Sequence, residues 1–132
     1  MIEKDGYRRN NHSVTSLKAQ IVLTTKYREN ILKFNIKKSL GEILIQVCKK
    51  YDIDLLGFAI EPQHVHIAIE YHPRLSISRI VNLIKGITSH ELRAKYGILE
   101  DFCEDAFWSS GYGAFSMGNE LERVLRYISN QG

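Results

Sequence analysis

The sequence predicts an α+β fold of the ferredoxin-like, RRM-like kind: a βαββαβ antiparallel sheet with an additional C-terminal helix. Three observations carry that prediction. Two segments, from Ser16 to Thr24 and from His64 to Glu70, alternate apolar and polar residues with the period of a strand buried on one face. Two others, near 36–51 and 77–97, repeat their apolar residues at helical spacing. Finally, Glu61-Pro62-Gln63 leaves room only for a hairpin between the runs on either side, so the second and third strands should pair antiparallel.

Taken in order, residues 1–13 are polar and unpatterned and read as a flexible basic arm, with Arg8 and Arg9 as candidate phosphate contacts. Residues 14–132 then form a single domain. In the first strand Leu17, Ala19, Ile21 and Leu23 oppose Lys18, Gln20, Val22 and Thr24. Asn35 is the expected N-cap of the first helix, whose apolar stripe is Ile36, Leu40, Ile43, Leu44, Val47 and Tyr51. Leu55–Ile60 is the second strand. Ser76 should cap a second helix, striped by Ile77, Ile80, Val81, Ile84 and Ile87 and ending near Gly97. Gly86 interrupts it at a cost of about 1 kcal/mol relative to alanine, so either the helix tolerates the loss or something approaches its backbone there. Residues 107–117, with Phe107, Trp108, Tyr112 and Phe115, read as the fourth strand. Asn119 and Glu122 resemble a capping box opening a last helix, striped by Leu121, Val124, Leu125 and Ile128.

A chain of 132 residues, 44% hydrophobic, is the size of one domain with one core. Its two cysteines, Cys48 and Cys103, show no paired spacing and follow no signal-peptide pattern, so inert thiols and a cytoplasmic location are expected. No apolar run approaches the roughly 20 residues that span a bilayer, so no membrane partner is expected. A net charge of +3 with basic residues along the whole chain permits a polyanionic partner.

Chemistry concentrates at His64-Val65-His66. Two imidazoles two residues apart on a strand point to one side, while Val65, Ile67 and Ile69 point to the other. Such a pair serves either as half-buried polar residues or as metal ligands. Imidazole suits divalent transition metals, and an oxygen donor such as Gln131 would complete a site with open positions. Tyr127 lies four residues before Gln131, on the same side of the last helix at the border of its stripe. It is either a packing residue or a nucleophile. Trp108 and Tyr112 could stack on unpaired bases, although aromatics in strands commonly belong to the core.

Together, Glu61-Pro62-Gln63-His64-Val65-His66, Leu83-Ile84-Lys85-Gly86-Ile87-Thr88-Ser89, Phe107-Trp108-Ser109-Ser110-Gly111-Tyr112 and Tyr127-Ile128-Ser129-Asn130-Gln131 resemble the small single-tyrosine transposases of the HUH nuclease superfamily. Thr24-Thr25-Lys26-Tyr27-Arg28 is similar to that family as well, and the resemblance runs from about Val14 to Gln131. It implies a DNA transposase that cleaves and rejoins single-stranded DNA at insertion-sequence ends by metal-assisted transesterification through a 5′-phosphotyrosine. It further implies Tyr127 as the catalytic nucleophile, and a divalent ion, Mg2+ or Mn2+, on His64, His66 and Gln131. Because Gln131 is penultimate here, Glu61 and Glu70 stand as substitute ligands. Single-stranded DNA, expected to carry a hairpin, would meet Arg8, Arg9, Lys85, Gly86 and Arg123. A homodimer in which the tyrosine helix of one subunit serves the histidines of the other is also implied. The alternatives are a domesticated relative acting on dispersed palindromes, a non-catalytic ferredoxin-like RNA-binding module, and a metal phosphodiesterase that uses water.

Overall fold

Period-two alternation is strongest at the centre of the sheet. In the computed structural model, which describes residues 2–97, 99 and 106–118, the chain runs β1 (Arg8–Asn10), β2 (Ser13–Thr15), β3 (Lys18–Thr24), α1 (Phe34–Lys50), β4 (Asp54–Ile60), β5 (His64–Glu70), α2 (Ile77–Lys95) and β6 (Gly113–Ser116). The last four strands order as β4-β5-β3-β6, each antiparallel to its neighbour, which is the expected ferredoxin-like sheet. The register sets Thr24 opposite His64, Val22 opposite His66, and Ala59 on the far side of His66. Ile21, Leu23, Val65, Ile67 and Ile69 are fully buried on one face, against Leu40 and Leu44 of α1 and Ile80 and Ile84 of α2. Each such side chain contributes about 1.5–3 kcal/mol of transfer free energy, and the total selects this pairing over a one-residue slip that would invert both faces.

Where a segment's partner lies far away in sequence, the structure departs from the local reading. Residues 8–15 form the β1–β2 hairpin, and Arg8 is buried at 1% exposure instead of projecting from a mobile arm. Its guanidinium donates to Glu70 (Nη2–Oε1 2.8 Å, Nε–Oε2 3.0 Å), to Asp52 (2.8 Å) and to Asp54 (3.4 Å). Arg8 is therefore no candidate for phosphate. Helix α1 begins at Phe34, with Lys33 rather than Asn35 at the cap position and no side-chain cap. Ser76 does cap α2, accepting from the Arg79 amide at 3.1 Å.

The fourth strand is shorter than its aromatic run. Phe107 and Trp108 are core residues, and Trp108 reaches the sheet only through a bridge to Thr25. Its indole N–H donates to Thr88 Oγ1 at 2.9 Å, and Thr88 in turn donates to the Ile84 carbonyl at 2.6 Å, so α2 satisfies the one polar atom the ring must bury. Tyr112 and Phe115 remain exposed. The expected C-terminal helix lies outside the described residues. Among those described, no helix is long and apolar enough to cross a membrane.

Candidate active site

Both described helices pack on the Ile67 face, so the strand period delivers His64 and His66 to the opposite face of β5. Their ring centroids lie 4.9 Å apart, edge to face. With Val22, Thr24, Arg28 and Gln63 they line a groove of about 320 Å³. Gln20, two residues before Val22 on β3, places its side-chain amide 3.0 Å from His66 Nδ1. Burial, then the neighbouring His64, holds His66 below the ordinary histidine range, with Glu61 acting in the opposite sense. The result is a neutral imidazole. The contact is made by Gln20 Nε2, whose N–H donates to His66 Nδ1 and fixes the orientation of the ring from the adjacent strand.

Two imidazoles on one face fit a divalent ion that keeps open positions. Among the described residues, no group of three His, Cys, Asp or Glu gathers to hold one. The substitute ligands expected from sequence fall away on that ground. Glu70 sits at the other end of β5, fully buried on Arg8, and Glu61 completes no set with the histidines. Gln131 and Tyr127 lie outside the described residues, as do Arg123 and Cys103.

The mouth of the groove is shaped by a turn whose geometry no local pattern announces. Thr25, fully buried, donates its amide to the Gln63 carbonyl at 2.9 Å and its hydroxyl to the Glu29 carbonyl at 2.8 Å. The Lys26 amide donates to the Phe107 carbonyl at 2.9 Å. Held this way, Tyr27 and Arg28 both adopt left-handed backbone conformations, φ 57° and 54°. For residues with a Cβ each such conformation costs of order 1–3 kcal/mol and persists only where the surroundings impose it.

The remaining sequence candidates divide. Lys85 does not reach out to solvent: its ammonium donates to the carbonyls of Ser109 (2.7 Å), Ser110 (3.2 Å) and Gly111 (3.0 Å), and burial lowers its pKa. All three donors are occupied, so the lysine fastens the loop before β6 to α2 instead of presenting a free charge for phosphate. Gly86 is exposed, and an added Cβ would meet nothing within 4 Å. Arg9 is partly exposed but paired with Glu3 at 2.6 Å and with Asp5. Cys48 is buried, its thiol pushed up to about 12, chiefly by desolvation, and is inert as expected. Sequence reading passed over Gln20 as a site residue, although it shares the parity of Val22 and Thr24. Its closeness to His66 becomes visible only once β3 is registered against β5.

Comparisons with known proteins agree with this fold. The chain is 26% identical over 121 residues to the transposase for insertion sequence element IS200 of Salmonella typhimurium, covering 91% of this chain and 80% of that protein. Its fold is similar to a crystal structure from Deinococcus radiodurans R1 assigned as a transposase, with a TM-score of 0.80 at 21% identity over 94% of this chain and 97% of that one. It is also similar to a REP-associated tyrosine transposase bound to a REP hairpin, with a TM-score of 0.65 at 13% identity over 92% of this chain and 69% of that one. Residues 13–131 match the family described as transposase, IS200 like, and the match spans the histidine pair, Tyr127 and Gln131. The chain belongs to the IS200-like transposase family and is thereby an enzyme of DNA transposition, one that cleaves DNA and transfers strands.

Proposed function

We propose that this transposase cuts and rejoins single-stranded DNA at the ends of an insertion sequence, with Tyr127 as nucleophile and His64, His66 and Gln131 as holders of a divalent ion, Mg2+ or Mn2+. The observation that carries the proposal is the histidine pair: two imidazoles on one strand face, one kept neutral and braced by Gln20, in a groove that opens to solvent. When bound, the ion would withdraw charge from the non-bridging oxygens of the scissile phosphate and hold its backbone for in-line attack. The phenolic oxygen of Tyr127, whose ordinary pKa near 10 makes it a weak nucleophile at neutral pH, attacks phosphorus. The P–O3′ bond breaks, the departing oxygen takes up a proton, and the strand remains as a 5′-phosphotyrosine. Attack by the 3′-hydroxyl of another strand reverses these steps, releasing the phenol and resealing DNA without ATP.

The partner we propose is single-stranded DNA carrying a hairpin, a reading supported by the neighbour that is bound to a REP hairpin. That likeness also favours, as a second reading, action on short dispersed palindromes by the same chemistry. Arg9, Arg123 and the open backbone at Gly86 are the remaining candidates for contact with DNA. We further propose a homodimer in which the tyrosine helix serves the partner's histidine pair.

Labelled single strands covering the DNA on either side of the coding sequence provide the test. Wild-type protein with Mn2+ should give a covalent adduct on a denaturing gel, and Tyr127→Phe should give none while still binding the strand. An adduct that persists in the variant removes Tyr127 from its role, and release of a free 5′-phosphate without an adduct would favour a water nucleophile.

A further inference from the structure

We propose that the turn Lys26–Arg28 is a nucleotide clamp of the active site, in which Arg28 takes a phosphate oxygen of the bound strand and Tyr27 stacks on the neighbouring base. The proposal rests on the reading that the histidine groove receives single-stranded DNA.

Charge is the first observation. Arg28 lines the same groove as His64 and His66 and faces solvent. Arg8 and Arg9 are both engaged by carboxylates, whereas Arg28 has no ion pair among the described residues. A guanidinium left open beside the imidazole pair suits the planar oxygens of a phosphate. Shape is the second. Tyr27 is 76% exposed, and Lys26 Nζ lies 5.4 Å from the centre of its ring. An uncovered aromatic within a basic tripeptide is the pairing that single-strand grooves use, charge along the backbone and a ring under a base. Position is the third. Two consecutive left-handed residues other than glycine are held by Thr25, which is bonded to the carbonyl of Gln63, the residue immediately before His64. The turn cannot shift without the histidine strand, so the clamp and the imidazoles keep one spacing.

Fluorescence anisotropy of the full chain on a labelled oligothymidylate, titrated at several salt concentrations, reads the two contacts separately. Arg28→Gly should weaken binding and flatten the log–log salt slope by about 0.7, the loss of one phosphate contact on a single strand. Arg28→Lys should recover the slope. Tyr27→Ala should weaken binding by about 5- to 100-fold at an unchanged slope, because stacking releases no counterion. Glycine accepts φ near 54° without strain, so Arg28→Gly should melt no lower than wild type. An arginine that merely supported the fold would give the opposite result. A slope unchanged in Arg28→Gly, or weaker binding accompanied by a lower melting temperature, overturns the clamp. If wild type itself neither binds nor cleaves single strands, the underlying reading fails. If wild type cleaves and Arg28→Gly binds as well as wild type, only the clamp fails.

Discussion

His66 differs from a surface imidazole in what its second nitrogen touches. Gln20 fixes that ring from the adjacent strand, and a braced ligand binds a cation without the entropy loss of freezing a free one. Gln20→Ala is therefore expected to lower manganese affinity by about 10- to 100-fold while the thermal unfolding curve stays near wild type. Titration calorimetry reads the first quantity, and an unchanged affinity would reduce Gln20 to a packing residue. The same residue shows where sequence reading stops. His64 and His66 were legible because their alternation is local, yet nothing in β3 marks Gln20 until a partner strand is set beside it. Arg8 failed more completely, since a polar stretch looks mobile when its counterions, Asp52 and Glu70, stand 44 and 62 residues away.

Among the elements, β3, β5 and α2 were read nearly to the residue, each being defined by its own periodicity and α2 also by the Ser76 cap. The 107–117 run was overextended because β propensity cannot tell a strand aromatic from one turned into the core, and the Thr88 hydroxyl that receives Trp108 lies on another element. In α2, Gly86 carries its own prediction. With nothing within 4 Å of a new Cβ, Gly86→Ala should stabilise the domain by about 0.5–1 kcal/mol, seen as a higher melting temperature. If binding to single strands weakens in the same variant, the glycine is kept for close approach of the ligand. Unaltered binding would make it merely tolerated.

At the scale of the whole molecule, the described residues bring the two histidines together, and Tyr127, which we propose as the nucleophile, follows β6 in the sequence. If the segment that holds it docks on a second subunit, as we propose, a Tyr127→Phe subunit paired with a His64→Ala subunit should retain one working site. Cleavage by separately tagged, co-purified heterodimers measures this, and a folded heterodimer that forms no adduct would argue for sites built within one chain. The sheet order has a further consequence. β3 and β5 are the two interior strands, and every residue of β5 faces a partner on β3 while most of it also pairs with β4. In the language of amide exchange, the histidines stand on the strand whose opening approaches global unfolding, whereas the Tyr27 turn lies at the exposed rim. The two imidazoles and the turn bonded to Gln63 would then keep their spacing through every motion short of global opening, while a cation exchanges with solvent through the open groove.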